Sequence, residues 1–149
     1  MIIVIDIGNS TVVLSGIREE QTLFSGEVDT HREWGREEYI AALQPILRGV
    51  SCRGAIVSSV VPPVTQAVCG AVAALLGVEP MLVTAQSKTG LTLDLPEKEK
   101  VGRDRLVDAA WAASRYPLPA VTVDLGTATT LNLILPGGVF AGGIICAGI

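Results

Sequence analysis

The sequence predicts a mixed-sheet α/β protein, on three observations. Apolar runs at the N-terminus are joined by links too short for a crossover helix, so they form an antiparallel meander. Beyond them, apolar runs alternate with stretches of helical period, the order expected of parallel pairing through right-handed crossovers. Of 149 residues, 49% are apolar and 17% charged, a balance that supports a core and excludes a disordered chain.

Residues 1–7 read as a short, fully apolar strand ending in Asp6. Gly8-Asn9-Ser10 links it to a second strand, 11–17, and 21–28 form a third. Residues 34–47 have helical character, with Tyr39, Leu43, Ile46 and Leu47 on related faces, and Pro45 is expected to bend or shorten the helix. A buried strand spans 55–59. Pro62-Pro63 then start a helix through 76, with Gly77 as its stop. Residues 81–84 and 91–95 are strands, the latter at an edge, and 96–100 form a charged loop. A helix over 102–116 carries Leu106, Val107, Ala110, Trp111 and Ala113, and Pro117 and Pro119 end it. Strands follow over 120–124, 129–135 and 139–145. No GxGxxG follows the first strand, so this is not a Rossmann unit.

The formal charge is −4, from 15 acidic and 11 basic residues, which argues against a broad nucleic-acid-binding face. Aromatics, at 4%, are too few for a base-stacking platform. Cys52, Cys69 and Cys146 are odd in number and lack metal-ligand spacing, which implies a reduced, cytoplasmic protein. The N-terminus lacks the basic leader and longer apolar core of a signal peptide. Residues 125–149 carry no charge, and that length could span a membrane. However, Thr127, Thr129, Thr130, Asn132, Pro136 and glycines interrupt it. Two buried strands turning at Pro136-Gly137-Gly138 are the better reading, and no membrane partner is expected.

An internal repeat carries the first chemical signal. Residues 4–14 read VIDIGNSTVVL and 122–132 read TVDLGTATTLN. At one constant offset, Asp6 matches Asp124, Gly8 matches Gly126 and Thr11 matches Thr129. Each copy is a strand delivering an Asp, a glycine turn and a departing strand, which suggests two related lobes facing one another. Glycine lets backbone amides approach a phosphate, Asn, Ser and Thr add neutral donors, and the Asp can hold a cation or its water. One DxGxxT alone reads as an Asx-type turn in a hairpin. Two copies after buried strands favour phosphate binding.

The second signal is Gly102-Arg103-Asp104-Arg105, at the start of an apolar helix. On its own it reads as helix capping, with Asp104 favoured by the helix dipole and an Arg105–Asp108 surface pair. Beside the two Asp-Gly turns it reads as a base and a cationic clamp, since a phosphate-accepting hydroxyl needs a carboxylate to orient it and take its proton.

These motifs, Asp6-Ile7-Gly8-Asn9-Ser10-Thr11, Gly102-Arg103-Asp104-Arg105 and Asp124-Leu125-Gly126-Thr127-Ala128-Thr129-Thr130, followed by Gly142-Gly143-Ile144-Ile145, resemble type III pantothenate kinases of the acetate kinase/sugar kinase/Hsp70/actin superfamily. The resemblance implies a ribonuclease H-like, actin-like ATPase lobe over 1–117, with 118–149 as the opening strands of a second, truncated lobe. It implies a homodimer that phosphorylates pantothenate with ATP, Mg²⁺ and a monovalent cation, K⁺ or NH₄⁺, in the first step of coenzyme A synthesis. By the same resemblance, Asp104 is the general base, and Gly102, Arg103 and Arg105 belong to the pantothenate site. Asp6 lies near Mg²⁺. Ile7, Gly8, Asn9, Ser10, Thr11, Val12, Val13 and Thr127 bind ATP, and Asp124 binds the monovalent cation.

Three positions depart from the family's pattern. Asn132 replaces an Asp at the end of the second phosphate motif, Ala147 a proline, and Leu95 a substrate-contacting Tyr. Leu95 cannot donate a hydroxyl hydrogen bond, and Asn132 removes a charge. These departures motivate two alternatives: a non-catalytic nucleotide-binding or regulatory relative, or a superfamily kinase with another small substrate. His31, Trp34 and Trp111 are expected to be surface or packing residues.

Overall fold

The computed structural model describes residues 1–148. The chain divides into two compact units, Met1–Val83 and Thr84–Ile149. The first contains β1 (Ile2–Ile7), β2 (Thr11–Arg18), β3 (Gln21–Asp29), α1 (Arg36–Leu47), β4 (Ala55–Ser59), α2 (Pro62–Leu76) and β5 (Met81–Leu82). Its sheet runs β3-β2-β1-β4-β5. The first three strands are antiparallel, and β4 and β5 add in parallel. This is the mixed sheet that short links followed by helical crossovers dictate.

Strand alternation decides what this unit buries. Ile3, Ile5 and Ile7 are fully buried on one face of β1. They meet Val12, Leu14 and Val57 from the sheet, Tyr39 and Leu43 from α1, and Val64, Val68 and Val72 from α2. Each fully buried aliphatic chain contributes about 1.5–3 kcal/mol, so this cluster holds the unit together. Gly77 ends α2 in the left-handed region (φ 67°) and donates its N–H to the Ala73 carbonyl. Glu38 Oε2 accepts the Gly35 N–H at 3.0 Å at the start of α1. Pro45 lies inside α1, which still runs to Leu47. The proline sits in the last turn, where few bonds depend on its missing N–H.

The second unit contains β6 (Thr92–Leu93), a single 3₁₀ turn (Lys98–Lys100), α3 (Arg103–Arg115), β7 (Ala120–Leu125), β8 (Ala128–Leu135) and β9 (Val139–Ala147). Its sheet runs β6-β9-β8-β7, with an antiparallel β7–β8–β9 meander and β6 parallel to β9. Val101, Leu106, Ala109, Ile134 and Phe140 form its core.

Three expectations change. The strand read over 81–84 contracts to Met81–Leu82. Thr84 donates its N–H to Ser87 Oγ and its carbonyl accepts the Ser87 N–H, and this turn draws the chain off the sheet. The strand over 91–95 contracts to Thr92–Leu93, and Leu95 packs beside the second core instead. The strands read as buried over 129–145 are only partly so. β8 buries Thr130, Asn132 and Ile134, but Ile144 and Ile145 on β9 are each 62% exposed. The uncharged stretch is β8 and β9, and among the described residues no helix is long and apolar enough to cross a membrane. The described cysteines are free thiols.

Tyr39 ties α1 to the loop after β3. Its hydroxyl donates to the His31 carbonyl and accepts the His31 N–H, both at 3.0 Å. His31 stacks on Trp34 at 3.9 Å, so both are packing residues. Burial pushes the Tyr39 phenol above its ordinary value of 10.0, against the His31 hydrogen bond and with a smaller push from Glu33. A raised folded-state value favours folding below pH ~10 and is lost as pH rises through it. Tyr39→Phe is expected to cost about 1 kcal/mol at neutral pH in urea unfolding. It should also flatten the loss of stability above pH ~10; identical alkaline slopes for both proteins would refute the assignment.

Candidate functional site

The first hairpin sets its carboxylate by strand parity. Ile5 and Ile7 enter the core, so Asp6 between them faces out and is exposed. It stands opposite Val13 on β2 and Ser58 on β4. In the turn, the Gly8 N–H bonds the Thr11 carbonyl at 2.9 Å. The end of β3 braces this loop. Thr30 donates its hydroxyl to the Gly8 carbonyl and its N–H to the Ser10 carbonyl, both at 2.8 Å. Arg32 Nη2 donates to Asn9 Oδ1 at 2.9 Å. Thr30 and Arg32 were not foreseen. The signal was available, because pairing of β3 with β2 sets Asp29 opposite Thr11 and brings the next residues to the turn. Ile7 and Val12 are core side chains, so only their backbone can serve a ligand.

The second hairpin repeats the strand–turn–strand order of the first, but Val123 and Leu125 beside its aspartate are exposed where Ile5 and Ile7 are buried. Asp124, next to last in β7 as Asp6 is in β1, is likewise exposed. Ile7 pairs with Val12, but Leu125 pairs with Thr129. The second turn is therefore one residue shorter. Thr129 occupies the place of Val12, so the sequence match of Thr129 with Thr11 is not an equivalence in register. Thr127 lies exposed in this turn, where the Gly126 N–H bonds the Ala128 carbonyl at 3.2 Å.

Two buried hydroxyls, Ser58 Oγ and Thr130 Oγ1, have no hydrogen-bond partner. Ser58 is the cross-strand partner of Asp6, and Thr130 that of Asp124. An unpaired buried hydroxyl is costly, so each aspartate sits beside a group that wants a further polar partner. Among the described residues no group of three or more His, Cys, Asp or Glu could form a metal cage. The donor sets suit a cation that keeps most of its own water or phosphate ligands.

The third constellation opens α3. Gly102 is the N-cap, and a Cβ there would collide with Asp104 Oδ1. Asp104 sits in the first turn, favoured by the helix dipole, and its Oδ1 accepts the Arg105 N–H at 2.8 Å. Arg103 turns back, donating to the Glu99 and Val101 carbonyls at 3.1 and 2.6 Å. The Arg105 Nε donates to Asn132 Oδ1. Asn132 Nδ2 donates to Thr122 Oγ1 at 3.0 Å. The Arg105 guanidinium also lies 5.8 Å from the Phe140 ring centroid. The second unit thus gathers Asp104, Arg105, Asn132 and Thr122, with Asp124 two residues beyond Thr122 on the same strand face. Thr122 and Asp124 also line an open groove of ≈ 710 Å³ with Asp108, Trp111 and Tyr116.

The departures have structural places. Leu95 is a packing residue of the second core, where no hydroxyl is needed. Ala147 pairs with Ala128, so β9 continues where a proline would remove a donor. Asn132 is fully buried.

Comparison with known proteins agrees. Type III pantothenate kinases of Finegoldia magna, Halalkalibacterium halodurans and Listeria monocytogenes are 32%, 35% and 36% identical to this chain over all of its length. The chain spans 59–61% of the length of these relatives. The ethanolamine utilization protein EutJ of Carboxydothermus hydrogenoformans shares the fold, with a TM-score of 0.55 at 17% identity over 98% of this chain and 51% of that one. So does an Aquifex aeolicus Ppx/GppA phosphatase, at 0.52 and 18% over 98% and 51%. The architecture is the ribonuclease H-like, actin-like ATPase class expected from the sequence. The family model for type III pantothenate kinase matches residues 2–149, and the chain belongs to that family.

Proposed function

We propose that the protein transfers the γ-phosphoryl group of ATP to the 4′-hydroxyl of pantothenate, in the first step of coenzyme A synthesis. The observation that supports this reading is the arrangement of the family motifs. Two glycine turns each follow a strand bearing an outward aspartate, and a third aspartate opens a helix. Asp104 accepts the hydroxyl proton. The hydroxyl oxygen then bonds to the γ-phosphorus as the bridging bond to the β-phosphate breaks, and ADP leaves. Gly102, Arg103 and Arg105 hold pantothenate, although Arg103 acts from a position anchored on backbone carbonyls. The amides of Gly8, Asn9, Ser10 and Thr11 receive phosphate oxygens, flanked by Ile7, Val12 and Val13, with Thr127 on the second turn.

Asp6, beside the unpaired Ser58 hydroxyl, suits Mg²⁺ through a water shell, and Asp124, beside Thr130, suits K⁺ or NH₄⁺. Such cations neutralise phosphate charge in the transition state. The reading includes lobes divided at 117/118, a homodimer and a cytoplasmic location. The structural places of Leu95 and Asn132 weaken the case for a non-catalytic relative.

ADP release coupled to NADH oxidation, with pantothenate, ATP, Mg²⁺ and K⁺, tests the proposal. Asp104→Asn should lower kcat about 10²–10⁴-fold, with pantothenate KM within a few-fold of wild type. A folded protein with no pantothenate-dependent ADP release, or an Asp104→Asn variant of normal rate, would overturn the reading. Chelation of Mg²⁺ should abolish turnover. Replacing K⁺ by Na⁺ should raise the KM for ATP, and Asp124→Asn should remove that dependence.

A further inference from the structure

The bonds that Thr30 and Arg32 make to the first turn all end on oxygens. Thr30 takes the Gly8 and Ser10 carbonyls, and Arg32 Nη2 takes Asn9 Oδ1 at 2.9 Å. The Gly8 N–H takes the Thr11 carbonyl as well. An oxygen of the turn facing a phosphate would repel it, whereas an N–H would hold it. A guanidinium has donors and no acceptor, so it can engage only the oxygen of a side-chain amide. Arg32 therefore decides which way round the exposed Asn9 amide lies. Oδ1 is turned to the guanidinium, and the Nδ2 donors are left for a ligand.

The arginine is exposed, but the loop that carries it is fixed. His31, the residue before it, shares both its N–H and its carbonyl with the Tyr39 hydroxyl, and Tyr39 is fully buried in the core of the unit. His31 also stacks on Trp34. The guanidinium thus reaches the turn from a loop anchored in the core. We infer that Arg32 is a positioning residue for the phosphate tail of the nucleotide, which it serves by locking the Asn9 amide with its donors toward the anion. The inference deepens the ATP-binding reading of this turn and rests on it. The ligand chemistry is a polyphosphate, with no part assigned to the base or the sugar.

The full chain, labelled with nitrogen-15 and titrated with inorganic tripolyphosphate, tests the inference. The Asn9 Nδ2 signals, assigned by their loss in Asn9→Ala, should shift with saturation in wild type and stay still in Arg32→Ala. The Ile7 and Val12 amide signals should keep their wild-type positions in that variant. Arg32→Ala and Asn9→Ala should each raise the tripolyphosphate Kd about tenfold, and the double variant should rise no more than about twofold further. In steady-state assays Arg32→Ala should raise the KM for ATP and leave that for pantothenate unchanged. If Arg32→Ala disturbs Ile7 and Val12, Arg32→Lys, which keeps a donor for Oδ1, takes its place and should hold Kd within about threefold of wild type. An unchanged Kd in Arg32→Ala, effects of the two variants that multiply, a weak Arg32→Lys, or Asn9 signals indifferent to the probe in wild type would overturn the inference. The titration involves no pantothenate. If it runs as expected while wild type releases no ADP with pantothenate, the kinase reading fails and the role of Arg32 stands.

Discussion

A strand buried on one face has only the other face for a carboxylate, and the rest of this protein depends on that constraint. Ile3, Ile5 and Ile7 bury three side chains of β1 against the helices, which leaves Asp6 outside, one residue before a glycine turn. On β7 Asp124 is likewise exposed before Gly126, although its neighbours Val123 and Leu125 are exposed as well. Shifting β1 by one residue would bury the carboxylate and expose the isoleucines, at a cost of several kcal/mol. Core formation and site formation are thus one event: the isoleucines hold the register, and the register aims the aspartate.

The turns acquire their shape from elements distant in sequence. Thr30 and Arg32 lie just past β3, and they reach the first turn because β3 pairs with β2 through to Asp29. Their bonds occupy the Gly8 and Ser10 carbonyls and the Asn9 amide oxygen, which settles the loop before any ligand arrives. Such prior ordering lowers the entropic cost of binding. At α3 the same logic acts through Asn132, a residue of β8 that holds an arginine of the helix. A buried polar group partnered at both ends is tolerated in a core; with one partner missing it would be destabilising.

Several elements were legible because a local rule decided them. Pro62-Pro63 and Gly77 bound α2, and the short apolar run of residues 1–7 set β1. Elements governed by neighbours were not legible. The strand at 81–84 lost its second half to a Thr84–Ser87 turn, and Leu95 left its strand for the core. The internal repeat was visible as letters, yet its second turn is one residue shorter, so Thr129 and Thr11 are not equivalent.

The sequence by itself determined the fold class, the order of elements and the three aspartates. Apolar periodicity, proline and glycine act within a few residues, and the motifs lie contiguous in the chain. Only the tertiary structure decided that Arg105 donates to Asn132, and that Thr30 and Arg32 brace the first turn. It alone set an unpaired hydroxyl beside Asp6 and another beside Asp124. These are contacts between residues far apart in sequence. Strand register and helix docking fix them, and no local pattern encodes which residue will stand opposite which.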